Sequence, residues 1–197
     1  FGFSPSGVLD YRAHKLANHL LGNEDDAAVL EMTLQGVELR AQKDVVISTS
    51  GAEASVSIDG TRYNHGTAIK VMKGETLKIG KCENGSRTYL AALGGFDVPE
   101  ILGSRSTHTR SGIGGFEGRT LKSGDVLKTA GGDFTDGLKK IRSFESDNII
   151  RIIPGQQYDR FEEDVQRILF NSEYTITKDS DRMGIRLDGP GLHTDEG

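Results

Sequence analysis

The sequence predicts a mainly β chain with flanking helices, an α+β fold built on a barrel or sandwich. Three observations carry that expectation. Apolar and polar residues alternate over several short runs, turn signals separate those runs at near-regular spacing, and one helical period stands at the front edge. The 197 residues are 35% hydrophobic and 27% charged, an ordinary globular balance with length enough to bury a core.

The front helix is framed by Asp10, whose carboxylate is placed to accept an N–H of the first turn. Ala13, Leu16, Ala17, Leu20 and Leu21 then repeat at helical spacing, and Gly22-Asn23 supplies a stop. Arg12, His14, Lys15, Asn18 and His19 fall on the polar face and are expected in solvent. After Glu24-Asp25-Asp26 the period becomes two, with Leu30, Met32 and Leu34, a turn at Gln35-Gly36, then Val37, Leu39 and Ala41. Val45 to Thr49 reads as a short β-branched strand. Ala54, Val56 and Ile58 read as another, ending at Asp59-Gly60, a strong hairpin signal. Further strands are expected at Thr67–Val71, Glu75–Ile79, Thr88–Leu93 and Asp125–Thr129. A small echo joins Lys73–Lys78 to Ser123–Lys128, each a glycine turn, an acidic residue and the start of a strand.

A polar stretch from Ser143 to Asn148 separates this region from a second unit that begins at Ile149–Gly155. There Asp159 is expected to cap a helix with Phe161, Val165, Ile168 and Leu169 on its apolar side. Strands at Tyr174–Thr177 and Gly184–Leu187 and a turn at Asp188–Gly191 follow. The expected domains are therefore 1–145 and 146–197. Phe1 in place of Met, and a polar ending at His193–Gly197, suggest an internal piece of a longer protein.

Composition narrows the function classes. With 24 Lys+Arg against 29 Asp+Glu the net charge is -5, which argues against nucleic acid or an anionic membrane surface as main partner. The longest run free of charged or strongly polar side chains is the eight residues Tyr89–Phe96, where a membrane helix needs roughly 20. No basic region followed by an apolar one marks a leader, so a cytoplasmic location is expected. A lone Cys82, with no adjacent His, rules out a disulfide framework and reads as a spectator. His14 and His19 are five residues apart, off the i,i+4 geometry of a metal pair, and no metal site is expected. P-loop, G-x-G-x-x-G, G-x-S-x-G and H-E-x-x-H patterns are all missing.

The stretch richest in chemistry is Gly103–Gly112, with Arg105, Arg110, Ser104, Ser106, Thr107, Thr109 and Ser111 between glycines. Guanidinium groups clamp carboxylate or phosphate in two-pronged fashion, and hydroxyls complete an oxygen shell, so the loop suits an anionic ligand. Gly112, Gly114, Gly115 and Gly118 would permit close approach of a ligand or a neighbouring subunit. The alternative is a polar surface loop whose arginines pair with local carboxylates. A second candidate is the turn Gly2–Gly7, with Ser4 and Ser6, ahead of the front helix. Asp10 could orient Ser6 or only cap the helix. Leu93–Phe96 could let a ligand near the backbone or only bend a strand.

These segments taken together resemble a known family. Ser4-Pro5-Ser6-Gly7 with Asp10, Gly94–Pro99, Leu102–Thr107, and Ser180–Gly184 with Arg186, Leu187, Gly189 and Pro190 are similar to the allophanate hydrolase subunit 2 family. That family includes the C subunit of ATP-dependent 5-oxoprolinase, also described as the antagonist of a sporulation-kinase inhibitor, and the carboxyltransferase region of biotin-dependent urea carboxylase. The resemblance runs over essentially the whole chain. It implies cyclophilin-like β-barrel lobes, the first in 1–145 lacking its opening strand and the second begun in 146–197. It also implies a hetero-oligomer with the B subunit of 5-oxoprolinase and its hydrolase (A) subunit, acting on 5-oxoproline with ATP and Mg2+. In that setting Arg105 and Arg110 would be catalytic, stabilising charge on phosphate or carboxylate. Ser104, Ser106 and Thr107 would bind substrate, with Ser4 and Ser6 in the same cleft. The carboxyltransferase alternative would draw biotin from another chain, because Val71-Met72-Lys73-Gly74 lacks the second Met of an attachment segment. A third possibility is a non-catalytic antagonist that binds a kinase-inhibitor partner.

Overall fold

A computed structural model describes residues 6–132, 149–182 and 184–193. Its elements run, in chain order, α1 (Tyr11–His19), β1 (Leu30–Thr33), β2 (Glu38–Arg40), β3 (Val45–Ile58), β4 (Thr61–Tyr63), β5 (Ala68–Val71) and β6 (Thr76–Ala92). Then follow a 3-10 turn at Tyr158–Arg160, α2 (Glu163–Asn171), β7 (Thr175–Ile176) and β8 (Leu187–Asp188). Contacts divide the chain into two compact units, Phe1–Ser143 and Phe144–Gly197. None of the helices is long and apolar enough to cross a membrane among the described residues.

The first unit is organised by two long strands where the sequence suggests four short ones. β3 has 14 residues and β6 has 17. Gly51 and Gly85 lie inside them at positive φ, bending rather than ending the strands. Register shifts between Gly51 and Val56 mark where β3 bends. The two strands pair antiparallel along their length and carry the short ones at their ends. On one side of the bend the order is β1-β6-β3-β5, through Leu30↔Leu90, Ser48↔Ala91 and Ile47↔Ile69. On the other it is β2-β6-β3-β4, through Leu39↔Leu77, Val56↔Ile79 and Val56↔Tyr63. The β3–β4 hairpin turns at Asp59 and Gly60, both at positive φ, as the Asp-Gly signal predicts.

The main core lies between these runs. It joins Ile47, Ile69, Val71, Leu90 and Ala92 from one to Val56, Ile58, Leu77 and Ile79 from the other, all buried. Residues 47–50 of β3 and 88–92 of β6 are buried without alternation because both faces are covered. Leu90 and Ala92 face the main core, whereas Tyr89 and Ala91 face α1. Small residues let that helix come close: Ala13 and Ala17 sit against the sheet, and the Ser50 and Ser48 hydroxyls donate to their carbonyls.

Several expectations need correction here. The strands form an open sheet, and no closed barrel is made among the described residues; β2, β4 and β5 have only three or four residues and pair on one side. Asp125–Thr129 forms no strand but a single bridge from Thr129 to Phe96. His14 and Asn18 are buried rather than solvated, because they face the carbonyl of Ala27 and not water.

In the second unit the helix starts later than expected. Asp159 lies in the 3-10 turn, and α2 begins behind Glu162, which makes no side-chain cap. The Gln166 amide instead donates to the Phe161 and Tyr158 carbonyls, tying the turn to the helix. β7 and β8 pair through Ile176↔Leu187. Between them the Ser180 hydroxyl accepts from the Arg186 N–H at 2.9 Å, and Arg186 Nε donates to the Asp179 carbonyl at 3.1 Å.

Candidate functional site

The Arg/Ser loop leaves β6 through Gly94 and Gly95, and its root is pinned by Asn23, a residue that in the sequence reads only as a helix stop. The Asn23 amide donates to the Ala92 carbonyl at 2.9 Å and the Asn18 side-chain oxygen at 3.0 Å. Its own side-chain oxygen accepts from the Gly94 N–H at 2.7 Å. Phe96 N donates to the Ala28 carbonyl, and Asp97 N and Ala130 N tie the outgoing segment to the returning one. A side chain at Gly94 would collide with the backbone of Gly131, so the crossing needs glycine.

From that root the loop folds on itself. Ile101 and Ser104 exchange backbone hydrogen bonds of 2.8 and 3.1 Å around Leu102 and Gly103, both at positive φ. The Ser104 hydroxyl accepts from the Ser106 N–H at 3.1 Å. His108 and Ile113 close a second turn, inside which the Ser111 N–H donates to His108. The glycines that follow serve the loop itself: a Cβ at Gly114 would strike the Ser106 carbonyl, and one at Gly115 the Thr107 side chain. The sequence suggests a ligand or a neighbouring subunit opposite these glycines; among the described residues it is the loop's own chain that comes close.

Arg105 is held at one side by Glu100, with 3.1 Å between Nη2 and Oε2 and both side chains about half exposed. Arg110 is exposed and takes no ion-pair or hydrogen-bond partner among the described residues. The loop thus offers one loosely paired and one open guanidinium beside Ser104, Ser106 and Thr107, which are half buried. No hydrogen bond or ion pair among the described residues joins Ser6 to this loop, and Ser4 lies outside the described residues. Asp10 is the helix cap: its Oδ1 accepts from the Ala13 N–H at 2.9 Å. Behind it the Tyr89 hydroxyl accepts from Asp10 N and donates to Glu31, each at 2.9 Å. Burial pushes that phenol up to about 12, so it stays protonated and fixes the segment before α1.

A further arginine, without a motif to mark it in the sequence, is the firmest charge in the region. Arg119 grips Asp125 with both Nη atoms, at 2.7 and 2.9 Å, reaches Glu117 at 2.7 Å and lies 5.1 Å over the Phe116 ring. The hydrogen bonds from Arg119, then from the Lys122 N–H, hold the Asp125 carboxyl down at about 2. Such a saturated guanidinium braces the segment 117–125 that follows the loop and has no donor to spare for a ligand. Cys82 is buried with Sγ 3.5 Å from the Thr88 hydroxyl, a packing position.

Comparison with known proteins places this architecture. The carboxyltransferase domain, subdomain A and B, matches residues 1–197. The chain is 35% identical over 190 residues to the C subunit of 5-oxoprolinase from Escherichia coli, covering 95% of this chain and 61% of that protein. It therefore spans about three fifths of that relative's length. The urea carboxylase structure of Kluyveromyces lactis superposes with a TM-score of 0.78 at 32% identity, over 94% of this chain and 18% of that one. The TTHA0988 structure superposes with a TM-score of 0.82 at 30% identity, over 95% and 37%. An open antiparallel sheet with a capped front helix, matched along its whole length, makes this chain a member of the carboxyltransferase domain family, subdomains A and B.

Proposed function

We propose that this chain is part of the C subunit of an ATP-dependent 5-oxoprolinase, which acts with a B-subunit homologue to activate 5-oxoproline for hydrolysis to glutamate by an A-subunit homologue. The observation that carries the reading is the 35% identity to the C subunit of a 5-oxoprolinase over 95% of this chain. In the proposed reaction the lactam oxygen takes the γ-phosphoryl group of ATP and ADP leaves. The ring carbon, now electrophilic, is attacked by water and the C–N bond breaks, which leaves an acyl phosphate; a second water hydrolyses that acyl phosphate to the carboxylate of glutamate and free phosphate. Phosphoryl transfer of this kind needs position and charge stabilisation rather than a particular loop.

The Arg/Ser loop supports that role. An exposed ion pair such as Arg105–Glu100 is worth only about 0–1 kcal/mol, so an incoming phosphate or carboxylate can displace Glu100. Arg110 needs no such exchange. Ser104, Ser106 and Thr107 supply oxygen ligands between them. Mg2+ would arrive with the nucleotide as part of the substrate.

Likeness to urea carboxylase supports a second reading, transfer of a carboxyl group from biotin carried by another chain to a urea-like acceptor. Reconstitution separates the two. With homologous A and B subunits, ATP and 5-oxoproline should yield glutamate and phosphate in equal amounts, and urea with carboxybiotin should yield nothing. Turnover of urea alone would overturn the proposal.

A further inference from the structure

We propose that a concavity at the edge of the first unit, walled by Lys43, Lys70 and Thr129, binds a small oxyanion, a carboxylate or a phosphate. It lies at the start of β3, beside β5, where the returning segment Thr129–Gly132 crosses the sheet, and it shares no residue with the Ser104–Arg110 loop. The inference goes beyond the function proposed above and does not depend on it.

The concavity has a volume of about 190 Å3, below the span of drug-sized pockets and suited to a small ion. Val45, Val46 and Leu93 form its apolar wall. Two lysines line it against one carboxylate. Asp44 is already engaged, its Oδ1 accepting from the Lys73 N–H at 2.9 Å and its Oδ2 lying 3.6 Å from Lys70. Lys43 donates to the Thr129 carbonyl at 3.3 Å, which uses one of its three donors. The charge left over is positive.

Neutral donors point the same way. The Thr129 hydroxyl is buried and has no hydrogen-bond partner. Gly131 and Gly132 line the same wall at positive φ, and neither backbone N–H donates to a partner among the described residues. The residues lining the hollow thus bring two lysines, an unpartnered hydroxyl and two unpartnered backbone amides, a donor-rich set that suits an oxyanion and not a cation or neutral apolar ligand.

The test is titration of the purified protein with inorganic phosphate and, separately, with acetate at constant ionic strength, read by heat of binding and by the NMR shifts of the Lys43 and Lys70 side chains. At least one anion should saturate, moving both lysine signals with one common Kd. Lys43→Gln with Lys70→Gln should weaken it tenfold or more and Thr129→Val about threefold, while Arg105→Ala leaves it in place. Which probe saturates distinguishes a phosphate from a carboxylate ligand. Failure of both anions to bind, lysine signals that do not move in the wild-type protein, or binding lost in Arg105→Ala but kept in the double variant would each overturn the assignment.

Discussion

Asn23, His65 and Asp125 show how single side chains decide the local chemistry. Asn23 is legible only as a helix stop, because nothing in a sequence tells that its amide will meet Ala92 and Gly94 some seventy residues away. Asn23→Ala should cost about 0.5–1.5 kcal/mol in urea unfolding, for the hydrogen bonds to Ala92 and Gly94 that it removes, while the Ala92 carbonyl keeps the Gly95 N–H. Amide exchange at Gly94 should quicken with it. His65 packs its Nδ1 3.0 Å from the Thr49 hydroxyl, and its Nε2 is buried without a partner. Burial holds this imidazole below its ordinary value, against the opposing pull of the Gly51 backbone and the Glu53 charge. The unfolded chain therefore takes the proton first as pH falls. Stability contributed by neutral His65 is complete above about pH 6.5 and is lost towards the lower folded value. Tm measured from pH 7.5 to 5 should fall, and His65→Asn should flatten that slope; an unchanged slope would refute the assignment. Asp125 behaves in the opposite sense. Its stabilisation is present above the ordinary carboxylate value and disappears as pH drops through about 2, so Asp125→Asn should soften the acid limb of the Tm profile.

Elements with a strong local signal are legible in the sequence, and those set by distant partners are not. Asp10 and the apolar spacing of α1 locate the helix, and Asp59-Gly60 locates the hairpin. Asp10→Ala should cost about 1 kcal/mol, measured by urea unfolding. Gly51 and Gly85 mislead because a glycine at positive φ ends a strand in one context and bends it in another; only the pairing of β3 with β6 keeps the ladder running. Asp125–Thr129 misleads in the other direction: its alternation is that of a strand, but Asp125 is spent on Arg119 and one bridge is all the pairing it finds. The β3–β6 core should be the most sensitive part of the first unit. Leu90→Ala, at a side chain 1% exposed, should cost about 2–5 kcal/mol. In the candidate loop the residues that could bind an anion are legible from composition. The use of Gly114 and Gly115 is not, because it depends on what lies opposite them.

Across the whole molecule, the match of the carboxyltransferase domain family to residues 1–197 bears out the family that the sequence motifs shared with allophanate hydrolase subunit 2 point to. The closed barrel that the resemblance also implies is not formed among the described residues; two bent strands and four short partners make an open sheet instead. From that sheet one loop, rooted by Asn23, projects with two arginines and five hydroxyl side chains, and Arg119 braces the segment that follows it. We propose that this loop handles the anionic groups of an ATP-dependent reaction. The most direct test of that claim is 5-oxoproline-dependent phosphate release by the reconstituted complex, comparing the wild-type chain with Arg105→Ala and Arg110→Ala, each checked for unchanged circular dichroism. The expected result is at least a hundredfold loss of turnover in either variant; wild-type turnover in both would contradict the claim.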